Sequence, residues 1–130
     1  MFACAYTRLG IPPTEILCHL LPRIVGIANA ADMIWTGRMV DAQEALRMGL
    51  VSKVVPHEEL PTATMELAER VARGPSLSIQ LSKRLIYQCL EVGLETAYEL
   101  HRAAMLSVRG SEESEEGRRA FREKREPHFG

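Results

Sequence analysis

Metal-ligand spacing is missing from this chain. Its three cysteines, Cys4, Cys18 and Cys89, stand far apart, with no C-x-x-C pair and no Cys/His set at zinc spacing. Cys18 and His19 are adjacent, which turns them to different faces of a helix. The odd cysteine count argues for reduced thiols in a cytoplasmic setting. A charge excess is missing as well. Sixteen basic against 17 acidic residues leave a net charge of −1. No bulk field therefore draws the chain to nucleic acid or to an anionic membrane. No apolar run approaches the roughly 18 residues a membrane span requires. The opening "MFACAYTRLGIPP" breaks any signal-peptide core with Arg8, Pro12 and Pro13. There is no internal repeat and no low-complexity linker.

What is present is ordinary globular material, 46% apolar and 25% charged over 130 residues. Phe2, Cys4 and Tyr6 alternate and predict a short strand over 2–9. From Thr14 the pattern turns helical through Ile16, Leu17, Leu20 and Leu21, with Thr14 as N-cap and Pro22 closing the segment. Ile27, Ala30, Ala31, Ile34 and Trp35 make the apolar face of a second helix, ended by Gly37. Asp41 and Glu44 form a capping-box pattern before a third, ended by Gly49. "LVSKVV" reads as a strand stopped by Pro56.

Beyond Pro56 the chain reads as helix. Leu60, Thr64, Leu67, Ala68 and Val71 form one stripe. Leu77, Leu81, Leu85, Cys89 and Leu90 form the next, between Pro75 and Gly93. Leu94, Ala97, Tyr98, His101, Ala104, Met105 and Val108 form a third. His19 and His101 are expected to be buried at helix interfaces, and His57 to face water. The last helix, "SEESEEGRRAFREKRE", is acidic at its start and basic at its end, as the helix dipole favours. Only Ala120 and Phe121 give it an apolar face, and Glu115 stands at i,i+4 spacing from Arg119. The acidic run 112–116 is a helix-start feature rather than a metal site. The expected fold is mainly α with one or two short strands. Its apolar faces are wide for so short a chain, which argues for partner subunits or a missing segment.

The segment "LPRIVGIANAADMIWTGRMVDAQEALRMGLVSKVVP" resembles the crotonase superfamily, the enoyl-CoA hydratase/isomerase group. The resemblance rests on Leu21-Pro22-Arg23-x-Val25-Gly26, Thr36-Gly37-Arg38, Asp41-Ala42-x-Glu44-Ala45, Gly49-Leu50-Val51 and Val54-Val55-Pro56. The closing "GRRAFREKREPHF" is similar to the family's last helix. The resemblance implies the C-terminal half of a crotonase-like (ClpP/crotonase) α/β spiral fold. Residues 1–56 would be a remnant of the spiral core with the active-site loop, and 57–130 a helical oligomerisation region. It also implies hydration or double-bond isomerisation of an unsaturated acyl-CoA through an enolate. Coenzyme A enters as part of the substrate, with no separate cofactor and no metal. The expected assembly is a homo-oligomer, a trimer or hexamer, or a complex with a full-length crotonase relative.

Site residues carry over by position. The isomerase-type acid falls on Thr14, and Glu15 stands one residue later; the hydratase-type acid falls on Tyr6. One residue turns a helical side chain by roughly 100°. Glu15 is a catalytic acid only if the loop re-registers; otherwise it is a first-turn glutamate stabilising a helix end. Lys124 matches the family's contact to the coenzyme A phosphates, and Phe121 its contact to adenine or pantetheine. Against these stand a solvated basic helix end and a packing residue. The family's two oxyanion-hole segments have no counterpart here, so the expectation is a truncated chain inactive alone. A non-catalytic oligomerisation module and a coenzyme A-binding fragment are the alternatives.

Overall fold

The computed structural model describes residues 1–13 and 16–129. The chain divides into two compact units, Met1–Leu60 and Pro61–Gly130.

In the first unit Phe2 and Val40 exchange backbone hydrogen bonds of 2.8 Å in a lone antiparallel bridge. The expected strand over 2–9 goes no further. Ala5–Leu9 is instead a 3-10 turn, closed by Gly10 at φ 73°. Its residues serve a helix further along the chain: Thr7 Oγ1 donates to Ile34 O at 2.6 Å and Arg8 Nε to Thr36 O at 3.3 Å. Both are carbonyls at a helix C-terminus, which has no intrahelical donors for them.

Helix α1, Leu17–Val25, runs through Pro22 rather than stopping there. An interior proline costs about 3 kcal/mol. Leu21 and Val25 are both buried, and each such side chain contributes about 1.5–3 kcal/mol. Together they offset the break. Gly26, at φ 79°, then separates α1 from α2, Ile27–Thr36. Ala30, only 1% exposed, lets the two helices approach closely, and Met33 and Ile34 complete the contact. Ile27 and Trp35, expected inward, are exposed. Helix α3, Ala42–Arg47, starts as read: Asp41 Oδ1 accepts from Glu44 N at 2.7 Å. Glu44 does not close the box but pairs with Arg38 at 2.7 Å.

The strand expected at "LVSKVV" is absent. Leu50 N and Val51 N both donate to Ala45 O, finishing α3, and no partner strand lies alongside among the described residues. β-branched residues favour a pleated surface only where one exists to pack on. The unit's core is Cys4, Leu21, Val25, Ala30, Met33, Ile34, Val40 and Ala45, with Leu50 and Val51 laid against it.

The second unit holds α4, Leu60–Ala72, from its second residue onward, then α5, Ser76–Gln88, α6, Leu94–Val108, and α7, Glu112–Glu123. Helices α5 and α6 pack on each other. Leu77, Leu81 and Leu85 face Ala97, Leu100, Ala104 and Val108 as half-buried rows. Leu94, Tyr98, His101 and Met105 form the neighbouring row of α6 and are exposed. Leu60, Leu67 and Val71 of α4 and Leu90 are exposed as well. None of α4, α5 and α6 has a fully buried residue. Helix α7 caps α5 from a distance, since Glu113 accepts from Ser76 Oγ at 2.8 Å and from Leu77 N at 3.2 Å. Burial works against the Glu113 charge, but these bonds outweigh it and hold the carboxyl below its usual range.

Candidate functional site

Chemistry-bearing residues gather in two places, one in each unit. In the first, the 3-10 turn, α1 and α2 border an open apolar hollow of about 410 Å³. Thr7, Pro13, Cys18, Pro22, Ile34 and Trp35 are among its walls. Pro13 and Cys18 stand on either side of positions 14 and 15 in the chain. Thr14 and Glu15, the expected acid positions, lie outside the described residues. Tyr6 is half-buried, and its carbonyl accepts from Ile11 N at 3.2 Å to close the turn. Cys4 lies in the core below, where burial first, and the Cys18 thiol second, push its own thiol up.

The second place is the C-terminal end of α7. The helix stops in a left-handed residue, Lys124 at φ 53°. It is the one non-glycine with positive φ among the described residues. Arg125 N donates to Ala120 O at 3.1 Å and Lys124 N to Phe121 O at 3.3 Å, so the chain reverses in a tight turn. Phe121 is 85% exposed and Lys124 is exposed beside it. Behind this turn sits Glu116, the one charged residue buried among those described. Its carboxylate accepts from Arg125 Nη1 at 2.6 Å, from His128 N at 2.9 Å and from the Arg119 guanidinium. Arg125, then His128 N, then Arg119 hold the Glu116 carboxyl well below the usual carboxylate range. Glu116 and Glu123 in turn raise the Arg125 guanidinium.

Phe121 and Lys124, the expected coenzyme A contacts, are both exposed at the turn that ends α7. The Glu116 clamp was missed. Helical spacing carried the signal: Glu113, Glu116 and Ala120 share one face, and Ala120 is 1% exposed. The pairing expected between Glu115 and Arg119 is replaced by Glu115 with Arg118 at 2.9 Å and Glu116 with Arg119. His19 is half-buried and His101 is exposed, so the expected buried pair is not there. Among the described residues no three His, Cys, Asp or Glu side chains converge as a metal site requires. No described helix is long and apolar enough to cross a membrane.

Known proteins resemble the chain along nearly its whole length. The family model described as enoyl-CoA hydratase/isomerase matches residues 1–130. The mouse protein "Enoyl-CoA hydratase domain-containing protein 3, mitochondrial" is 39% identical over 97% of this chain and 42% of its own length. "Carnitinyl-CoA dehydratase" of Salmonella paratyphi A is 36% identical over 97% of this chain and 50% of its own. Among solved structures, an enoyl-CoA hydratase subunit from Geobacillus kaustophilus superposes with a TM-score of 0.94 at 32% identity. That match covers 99% of this chain and 50% of the other. The chain thus spans about half the length of the relatives it matches. Agreement in sequence and in fold runs from one end to the other, and by it the chain belongs to the enoyl-CoA hydratase/isomerase family, within the crotonase superfamily.

Proposed function

We propose that this chain supplies one half of an acyl-CoA hydratase or isomerase and works on an unsaturated acyl-CoA thioester only within an assembly. Coenzyme A enters as part of the substrate, and no metal or redox cofactor is used. The first unit offers the apolar hollow lined by Pro13, Cys18 and Trp35 to the acyl chain. Glu15, or a polar group at Thr14, moves a proton at the α carbon of the enolised thioester. The second unit offers Lys124 to a phosphate and Phe121 to the adenine or pantetheine. A flexible ammonium suits a phosphate as a point charge.

The observation that carries the need for an assembly is surface area. The chain exposes 10040 Å². Two separate compact bodies of half its mass each would expose about 8,300 Å² in total. The surplus, about 1,700 Å², is about twice the ~800 Å² that one partner gives to a standard protein interface. It is apolar where it is largest: Leu94 is 89% exposed, Ile27 79% and Trp35 77%. Partner copies in a trimer or hexamer, or a full-length relative, would cover it.

Chemistry alone is not expected of the 130 residues. An enolate needs donors aimed at its developing charge, and losing one typically costs about 10²–10³ in rate. The resemblance puts both donors in segments without a counterpart here. The test is turnover of crotonyl-CoA by the pure chain, and by the chain co-expressed with a full-length relative. No turnover alone and mixed oligomers on co-expression support the reading. Turnover by unpartnered chain overturns it. The exposed rows of α4 and α6 favour a second reading, a non-catalytic oligomerisation module. Mixed oligomers that bind no coenzyme A would select it.

A further inference from the structure

Resting on the reading of Phe121 and Lys124 as the coenzyme A end, we propose that Glu116 is the positioning residue that lets Lys124 and Arg122 take the nucleotide phosphates. The charges of α7 are sorted unevenly. Arg118 is held by Glu115 at 2.9 Å and by Ser114 Oγ at 2.9 Å. Arg119 is held by Glu116, and Arg125 by Glu116 at 2.6 Å and Glu123 at 2.7 Å. Arg122 and Lys124 have no acidic partner among the described residues. Both follow the exposed Phe121 closely in sequence, so two cations and an aromatic face are left for a ligand that joins phosphates to a base.

Glu116 makes that selection. It takes up the two arginines that would otherwise compete for the anion. It also fixes the backbone: by holding the Arg125 side chain and His128 N, it ties the chain after the turn back onto α7. A lysine persists at φ 53° only where its surroundings over-determine the turn. The Glu116 bonds, with Arg125 N on Ala120 O, are those surroundings. Lys124 is thereby presented in one backbone geometry.

Replacing Glu116 gives opposite signs for charge and for positioning. Glu116→Gln removes one negative charge near the site, which by itself tightens an anion. Loss of positioning loosens it. Calorimetry of the full chain with coenzyme A and with pantetheine, which lacks the phosphates, separates the two. A general loss of folding weakens both ligands alike, whereas lost positioning lowers only the preference for coenzyme A. The expected result is that Lys124→Ala removes most of that preference and Glu116→Gln lowers it about tenfold, one charge-assisted contact. Arg125→Lys keeps the charge but loses the two-pronged grip, and moves the preference the same way; it serves if Glu116→Gln does not fold. An unchanged or increased preference in both variants, with Lys124→Ala still defective, overturns the role of Glu116 alone. No preference in the wild-type chain, or none lost in Lys124→Ala, overturns the coenzyme A reading and this inference with it.

Discussion

Lys124 shows how one residue can serve a site at the expense of the fold. For an L-residue the left-handed region costs about 1–2 kcal/mol, and glycine is the usual occupant of such a helix end. Lys124 is exposed, so its side chain contributes little packing. Lys124→Gly is expected to stabilise the second unit by about 1 kcal/mol in urea unfolding, while removing the cation. A loss of stability would contradict the strained-turn account. Glu116 carries the pH dependence of the same turn. Its carboxyl is depressed in the folded state, while in the unfolded chain it titrates near the ordinary value of about 4.3. The stability it contributes is therefore complete above that value and is lost as pH falls toward the depressed one. Melting temperature followed downward from pH 5 should fall more steeply for the wild-type chain than for Glu116→Gln. Equal slopes would remove Glu116 from the acid transition.

The elements divide by how local their causes are. Helix α3 was legible because its start is set by neighbours in sequence: Asp41 reaches Glu44 N three residues on. Asp41→Ala is expected to cost about 1 kcal/mol, read from the unfolding midpoint of the first unit, with Asp41→Asn close to wild type. The stop at Gly37 was legible for the same reason. The strands were not. Both "FACAYTRL" and "LVSKVV" have the residues of strands, but a strand is defined by a partner, and only Phe2 and Val40 find each other. Pro22 failed as a stop signal because tertiary burial of Leu21 and Val25 outweighs a local rule. In α6 the period was read correctly, but the stripe was drawn too wide: it held Ala97, Ala104 and Val108, lacked Leu100, and took in the exposed row as well. Two adjacent apolar rows fit the same spacing, and contact with α5 selects Ala97, Leu100, Ala104 and Val108 over Leu94, Tyr98, His101 and Met105. At the candidate sites, Phe121 and Lys124 could be placed from the closing motif. Glu116 could not, because its partners at 125 and 128 lie beyond the helix, across a turn whose left-handed residue is not a glycine.

For the whole molecule the deciding quantity is bare apolar surface. The core holds small or medium side chains, and Met33 and Val40 are the largest fully buried ones. The larger aromatic groups Trp35 and Phe121 lie outside, and so does Leu94. Monomeric proteins rarely leave contiguous apolar patches of many hundreds of Å² uncovered. If these faces meet partner surfaces, the only tryptophan of the chain reports it. Trp35 is 77% exposed on α2, at the rim of the apolar hollow. Its fluorescence in dilute, unpartnered chain should peak near the position of water-exposed indole. Raising the chain concentration, or adding a full-length relative, should shift the peak to shorter wavelength and reduce quenching by iodide. Trp35→Phe, which removes the signal, should leave the apparent size in sedimentation close to wild type, since a ring remains to fill the contact. A dilute chain that already emits at short wavelength and melts as a sharp monomer would show that α2 is covered from within. The surplus area would then have to be explained without any partner.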